Sequence, residues 1–285
     1  MDERAALEIL AANIPHAGDD AAVVDSTAIT TDMLHESTDF PDGTTRYTVG
    51  WRAVAASLSD LAAMGAAPTA AVAAYADTEF VDDELTAFVD GARDVCQQVD
   101  AEYVGGDLDN HCEFTVTTTA IGNVDQPVYR SGAASGEIVC VTGTLGRSAA
   151  ALELFGRGET DRANQLFQFS PRVAAGRRLA GTATAMMDSS DGLARSLHQL
   201  AAASGCGFAV DRAAVPVDDA VGTCEDRWEA AVHFGEDFEL ICTLPESAIG
   251  AAQADIDIPL TPIGTVTDSG VTVDGEPLAD RGYTH

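Results

Sequence analysis

Strand-like and helical stretches alternate along this chain, and five short segments among them end in aspartate. They are Gly18-Asp19-Asp20, Thr30-Thr31-Asp32, Ser59-Asp60, Gly105-Gly106-Asp107 and Asp188-Ser189-Ser190-Asp191. Alternation of this kind builds layered α/β domains, in which side chains at strand ends face a shared crevice. Because the motifs occur in both halves, the pattern predicts two α/β domains with a cleft between them. Asp125-Gln126-Pro127 and the Ser131–Gly136 stretch read as the linker, which divides the chain into domains of residues 1–126 and 127–285.

The first half reads as a helix over 2–13, strands near 20–25 and 28–34, and a helix over 47–64 with Val54, Leu58 and Leu61 on one stripe. A strand over 69–76, a helix over 81–99, a strand at 101–104 leading into Gly105-Gly106-Asp107, and a strand over 114–124 complete it. The second half restarts with a strand over 137–142, a glycine turn and a helix over 147–155. Helices near 160–180, a strand over 183–187, a helix over 191–203, strands over 207–210 and 238–243, and paired strands near 258–273 follow.

A converging set of carboxylates repels itself unless cations fill it. Hard oxygen donors suit Mg²⁺, which keeps its waters and bridges carboxylates to phosphates. What the chain lacks narrows the chemistry further. All 15 basic residues are arginine. A P-loop and a protein-kinase site each need a lysine beside the phosphates, and a Schiff base needs a lysine amine, so all three are excluded. Charge on a bound nucleotide must then be met by metal ions, backbone N–H groups and a few arginines.

A net charge of −31 and a pI near 4.1 leave no basic footprint for nucleic acid and disfavour docking on an anionic membrane. The acid is spread over the whole chain, and with no lysine and many small residues this points to a halophilic cytoplasm. Cysteines at 96, 112, 140, 206, 224 and 242 show no C-x-x-C spacing and read as reduced. Met1-Asp2-Glu3-Arg4 has no signal-peptide order, and no apolar run reaches the roughly 18 residues of a membrane span, so a cytoplasmic protein is expected.

Asp60 is the most telling single acid. It lies within an apolar helix, on a face shared with Ala53, Ala56, Ser57 and Met64, where an unpaired carboxylate is costly and a cation is a fitting partner. The plain alternative is a surface acid in an acid-rich protein. Gly105-Gly106-Asp107 permits close backbone approach or is an ordinary turn, and Asp188-Ser189-Ser190-Asp191 is either a ligand motif or a helix start capped by Ser190. Gly143-Thr144-Leu145-Gly146 could cradle an anion at a helix N-terminus, though such a turn is more often only a turn. Arg130 is a candidate phosphate clamp, against a surface ion pair.

In order, these segments resemble the thiamine-monophosphate kinase family, within the aminoimidazole ribonucleotide synthetase superfamily. The resemblance rests on GDDAAVVD at 18–25, TTDMLHESTDF at 30–40, SLSDLAAMGAAP at 57–68, GGDLDN at 105–110, RSGAASGE at 130–137, VTGTLGRSAA at 141–150, the MMDSSDGLARS run from 186 and FGEDFEL at 234–240. It implies two α/β domains, with N-terminal domains pairing in a homodimer around a β-barrel. It also implies ATP-dependent phosphorylation of thiamine monophosphate to thiamine diphosphate, by direct in-line transfer with several Mg²⁺ ions.

Carried over by position, Asp20, Thr30, Thr31, Asp32, Asp60, Asp107, Asp188 and Asp191 match metal positions, with Asp32, Asp107 and Asp191 central to catalysis. Gly106, Asp107, Arg130 and Ser190 match ATP contacts, and Glu236 matches a substrate contact. Two stretches depart from the family pattern. Asp39 stands where members often carry a substrate-binding His, and Asp280 where an aromatic residue often precedes the final Lys-Gly-Tyr. Both fall on the acceptor side. They keep open a cyclo-ligase-type ATP enzyme of the same superfamily, or a non-catalytic nucleotide-binding subunit.

Overall fold

In the computed structural model the described residues are 9–10, 13–14 and 16–283, so the helix expected over 2–13 lies largely outside them. Strands β1 (Ala22–Val24), β2 (Thr27–His35), β3 (Ala67–Asp77), β4 (Glu102–Asn110) and β5 (Thr115–Asn123) form a sheet in the order β1-β2-β5-β3-β4. Only the β3–β4 pair is parallel, because the helix between its strands makes the crossover. That helix is α2 (Asp82–Gln98), which opens with Asp82, Asp83 and Glu84, a favourable placement of acid at a helix N-terminus.

Helix α1 (Arg46–Ala63) is capped by Thr45, whose hydroxyl accepts the Thr48 N–H at 3.2 Å, and it ends at Gly65 in a left-handed turn. It is buried on nearly all sides. Val54, Leu58 and Leu61 pack on the first sheet, whereas Ala62 and Ala63 join a cluster of the second half. A helix apolar all round is one held between layers, and α1 is therefore the element to which both halves are fitted.

The second half contributes β6 (Ile138–Thr142), α3 (Arg147–Gly156), α4 (Thr160–Phe167), α5 (Val173–Leu179), β7 (Ala185–Asp188), α6 (Leu193–Ser204), β8 (Gly207–Val210), α7 (Arg227–Val232), β9 (Leu240–Leu244), α8 (Ile249–Asp255), β10 (Leu260–Thr267), β11 (Val271–Val273) and β12 (Glu276–Pro277). Its sheet runs β12-β11-β8-β10-β6-β9-β7. Alternation along β6 shows why both faces are covered: Val139 and Val141 pack with Leu197 and Leu200 of α6, while Cys140 packs with Leu179 and Ala252 of α5 and α8.

Three local readings change. Gly105-Gly106-Asp107 lies inside β4 instead of following it, because parallel pairing with β3 continues from Val72–Gly105 to Asp77–Asn110. A Cβ on Gly106 would stand 1.8 Å from the Ala73 carbonyl oxygen, so only glycine fits that pairing. The N-cap of α6 is Gly192 with no side-chain cap, which removes the capping role considered for Ser190. Finally, α7 and α8 are short helices that the apolar periodicity did not reveal, each under two turns long or close to it.

Candidate active site

Three of the predicted carboxylates converge. Oxygens of Asp20, Asp60 and Asp188 all lie within 4.8 Å of one another. They arrive from three places: the turn before β1, the last turns of α1, and the C-terminal end of β7. Each carboxylate is oriented by a neighbour. Thr30 donates to Asp60 at 2.5 Å, Ser59 donates to Asp188 at 2.7 Å, and Arg130 donates to Asp20 at 2.8 Å. Asp32 joins them from β2, where Ser57 donates to it at 2.5 Å.

The electrostatics are those of an anion-crowded, buried site. Burial, then the charges of Asp32, Asp188 and Asp20, pushes Asp60 well above the usual carboxylate range, with the Thr30 hydroxyl pulling back. Burial and Asp20 push Asp188 up to about 8, against the Ser59 hydrogen bond and Arg130. Burial alone would lower Arg130, but Asp20 and the other carboxylates hold it more firmly protonated. A donor set of oxygens only, near enough to share one ion and repelling in its absence, is what a hard divalent cation such as Mg²⁺ requires. The residues fit the ion.

The other predicted residues are distributed around this centre. Thr31 lies on the opposite, outward face of β2 and its hydroxyl donates to the Thr118 carbonyl at 2.8 Å. Ser190 and Asp191 form the turn after Asp188; the Ser190 carbonyl accepts the Glu236 N–H at 2.6 Å, and the Asp191 carbonyl accepts the Tyr283 N–H at 3.0 Å. Gly106 and Asp107 stand apart. The register Asp32–Thr118–Ala73–Gly106 separates them from Asp32 by three interstrand steps, about 14 Å at ordinary strand spacing. Asp107 instead borders a cleft of about 430 Å³ with Phe88, Arg93 and Tyr103.

On the acceptor side, Asp39 and Glu236 line one cavity of about 120 Å³ together with Phe234 and Tyr283. It shares Leu152, Phe234 and Tyr283 with a wider cavity of about 620 Å³, bordered by Glu153, Asp226 and Glu229. Asp39 accepts from the His35 N–H at 2.7 Å and from the Thr38 hydroxyl at 2.8 Å. Burial, followed by Glu236 and Asp39, pushes the Tyr283 hydroxyl up to about 12. Asp280 does not line either cavity; it pairs with Arg195 at 2.8 Å and anchors the segment that carries Tyr283.

The Gly143–Gly146 turn holds an anion, but it is the protein's own. Asp237 accepts the Gly146 N–H at 2.5 Å and the Ser148 N–H at 3.0 Å, closing the N-terminus of α3. Burial pushes Asp237 up to about 7 despite these two bonds. Ser57 and Ser59 were named in the sequence only as neighbours of Asp60, and that they aim Asp32 and Asp188 was missed. Their signal was polar residues at 57 and 59 beside Asp60 in an otherwise apolar helix.

Comparison with known proteins fits this geometry. The family model described as AIR synthase related protein, N-terminal domain, matches residues 18–124, and its C-terminal counterpart matches 134–275. A thiamine-monophosphate kinase of Halobacterium salinarum is 63% identical over 288 residues, covering 100% of both chains. The chain belongs to the thiamine-monophosphate kinase family. A solved family structure from Stenotrophomonas maltophilia superposes with a TM-score of 0.82 at 32% identity, covering 96% of each chain. AaThiL, solved in complex with AMPPCP and TMP, superposes with a TM-score of 0.90 at 26% identity, covering 100% of this chain and 97% of its own. Among the described residues, no helix is long and apolar enough to cross a membrane.

Proposed function

We propose that this chain transfers the terminal phosphoryl group of ATP to thiamine monophosphate, giving thiamine diphosphate and ADP, in the cytoplasm. Full-length identity of 63% to a thiamine-monophosphate kinase carries this reading, and the carboxylate centre supplies matching chemistry. Phosphoryl transfer asks a protein mainly to position two anions and cancel their repulsion.

Asp20, Asp32, Asp60 and Asp188 would hold Mg²⁺, with the Asp191 turn and the Thr30 and Thr31 segment beside them. The chemistry such ions supply when bound is neutralisation and alignment of phosphate oxygens. Arg130 holds Asp20 in place and, with Ser190, would meet an entering nucleotide. Asp39, Glu236, Phe234 and Tyr283 give the acceptor cavity an acidic, aromatic wall suited to a cationic heteroaromatic ring. The acceptor is already a phosphate, so its attacking oxygen needs alignment more than deprotonation.

The chain acts in this reading as a homodimer of two-domain subunits, residues 1–126 forming the pairing and metal domain and 127–285 the C-terminal domain. Ile29, Met33, Val72, Val104 and Ile121 are exposed on the first sheet, an apolar surface that a second copy would cover in a shared β-barrel.

The test is ³¹P NMR of the purified protein with ATP, Mg²⁺ and thiamine monophosphate in molar KCl. Thiamine diphosphate and ADP should grow together and only when both Mg²⁺ and acceptor are present. ADP with orthophosphate and no diphosphate product would point to the cyclo-ligase chemistry instead, and unchanged resonances from folded protein to a binding role.

A further inference from the structure

Arg52 is the largest fully buried side chain of the described residues, and the chemistry above does not use it. It projects from α1 into the second half of the chain, where one guanidinium nitrogen donates to the Phe167 carbonyl at 2.7 Å. The other donates to Glu236 twice, to its carbonyl at 3.0 Å and to its carboxylate at 2.7 Å, and to the Ser148 hydroxyl at 3.3 Å. The guanidinium lies 3.7 Å from the centre of the Phe167 ring, a stacked geometry that a lysine cannot reproduce.

What Arg52 grips is a strained segment. Glu236 has φ of 63° and Phe238 of 54°, left-handed backbone that non-glycine residues adopt at a cost. Gly235, at 85°, cannot be replaced cheaply, since a Cβ there would stand 2.5 Å from the Ser190 carbonyl oxygen. Ser148 adds a 2.6 Å bond to the Glu236 carbonyl. Backbone and side chain of Glu236 are thus fixed from the same side. One carboxylate oxygen, Oε2, is taken by Arg52, and the residue lines the acceptor cavity beside Asp39 and Tyr283.

A purely structural clamp needs only the Phe167 and Glu236 carbonyl bonds. The bond to the carboxylate does something further: it sets the direction in which a charged group meets the cavity. We propose that Arg52 is a positioning residue for the acceptor, holding Glu236 in its left-handed conformation so that its carboxylate meets the substrate cation. This rests on the kinase reading given above.

The experiment measures ADP formation at varied thiamine monophosphate and at varied ATP, for wild type, Arg52→Lys, Arg52→Met, Glu236→Gln and the Arg52→Met/Glu236→Gln double variant. Loss of a charged hydrogen-bond pair should raise the acceptor KM of Arg52→Met about tenfold or more and leave the ATP KM within about twofold. Arg52→Lys should fall between, and Arg52→Met should add little once Glu236 is already Gln. If Arg52→Met does not fold, the Arg52→Lys comparison in the Glu236 and Gln backgrounds carries the same test.

Equal rises in both KM values, or an Arg52 effect undiminished in the Gln background, would reduce Arg52 to a structural clamp and overturn the proposal. Wild-type protein that forms no acceptor-dependent ADP would overturn the kinase reading, and this inference with it.

Discussion

Replacing Asp60 with Asn should make the metal-free protein more stable and its response to Mg²⁺ weaker. Asp60, Asp20 and Asp188 present oxygens within 4.8 Å of one another, and two unit charges at that separation repel by about 3 kcal/mol at an effective dielectric near 20. Asp60 belongs to two of the three pairs, yet the full sum is not realised, because protonation relieves it. Asp188 held at about 8 instead of 3.8 shows the scale: at neutral pH such a group costs the folded state about 4 kcal/mol relative to an unfolded chain in which it is ionised.

The sign follows from the raised values. Both acids hold protons more tightly when folded, so the cost is absent below about pH 4, grows as pH rises, and levels off near 8 for Asp188. Burial remains after Asp60→Asn, and only the charge term goes, which leaves a gain of about 2 kcal/mol, or roughly 4–8 °C in Tm. Differential scanning fluorimetry in molar KCl with EDTA, then across a Mg²⁺ titration, reads both effects. Saturating Mg²⁺ at 100 times its Kd would stabilise wild type by about 2.7 kcal/mol, and the variant should lose most of that. A variant less stable than wild type without metal, yet stabilised equally by Mg²⁺, would refute the reasoning.

Further outcomes follow from the same geometry. Asp107→Asn should abolish turnover while leaving the circular dichroism spectrum unchanged, since the side chain sits on an exposed edge strand; retained activity would remove it from the site. Met33→Glu, on the uncovered sheet face, should shift the mass measured by light scattering from dimer to monomer, and an unchanged mass would place the pairing surface elsewhere. Asp237→Ala strips two N–H groups at α3 of their acceptor and should cost about 2–3 kcal/mol by chemical denaturation. Asp237→Asn keeps an acceptor and should flatten the fall in stability as pH rises from about 4 to 7, because the carboxyl whose ionisation burial disfavours is gone.

The aspartate centre was legible in the sequence because acids are conspicuous among Ala, Leu and Ser, as Asp60 is between Leu58 and Leu61. Strands and long helices were legible for the same reason, their apolar periods being strong. Asp107 was grouped with the other acids from the sequence and yet lies strands away from them, inside β4, since sheet order is a long-range property that no local pattern encodes. Asp237 was missed as the partner of the Gly146 amide across 91 positions of sequence. Arg52 was missed too, although a cation between Trp51 and Ala53 in an apolar helix is the same kind of signal as Asp60, with opposite charge.

The closure of α3 by Asp237 bears on how ATP would be held. With those two amides engaged and no lysine in the chain, that turn cannot greet a bare polyphosphate as a P-loop does. In the kinase reading proposed above, the charge of a phosphate chain would then fall to the Asp20, Asp60 and Asp188 centre and to Arg130, so that filling of that centre by cation, and not the helix turn, would set how tightly nucleotide is held.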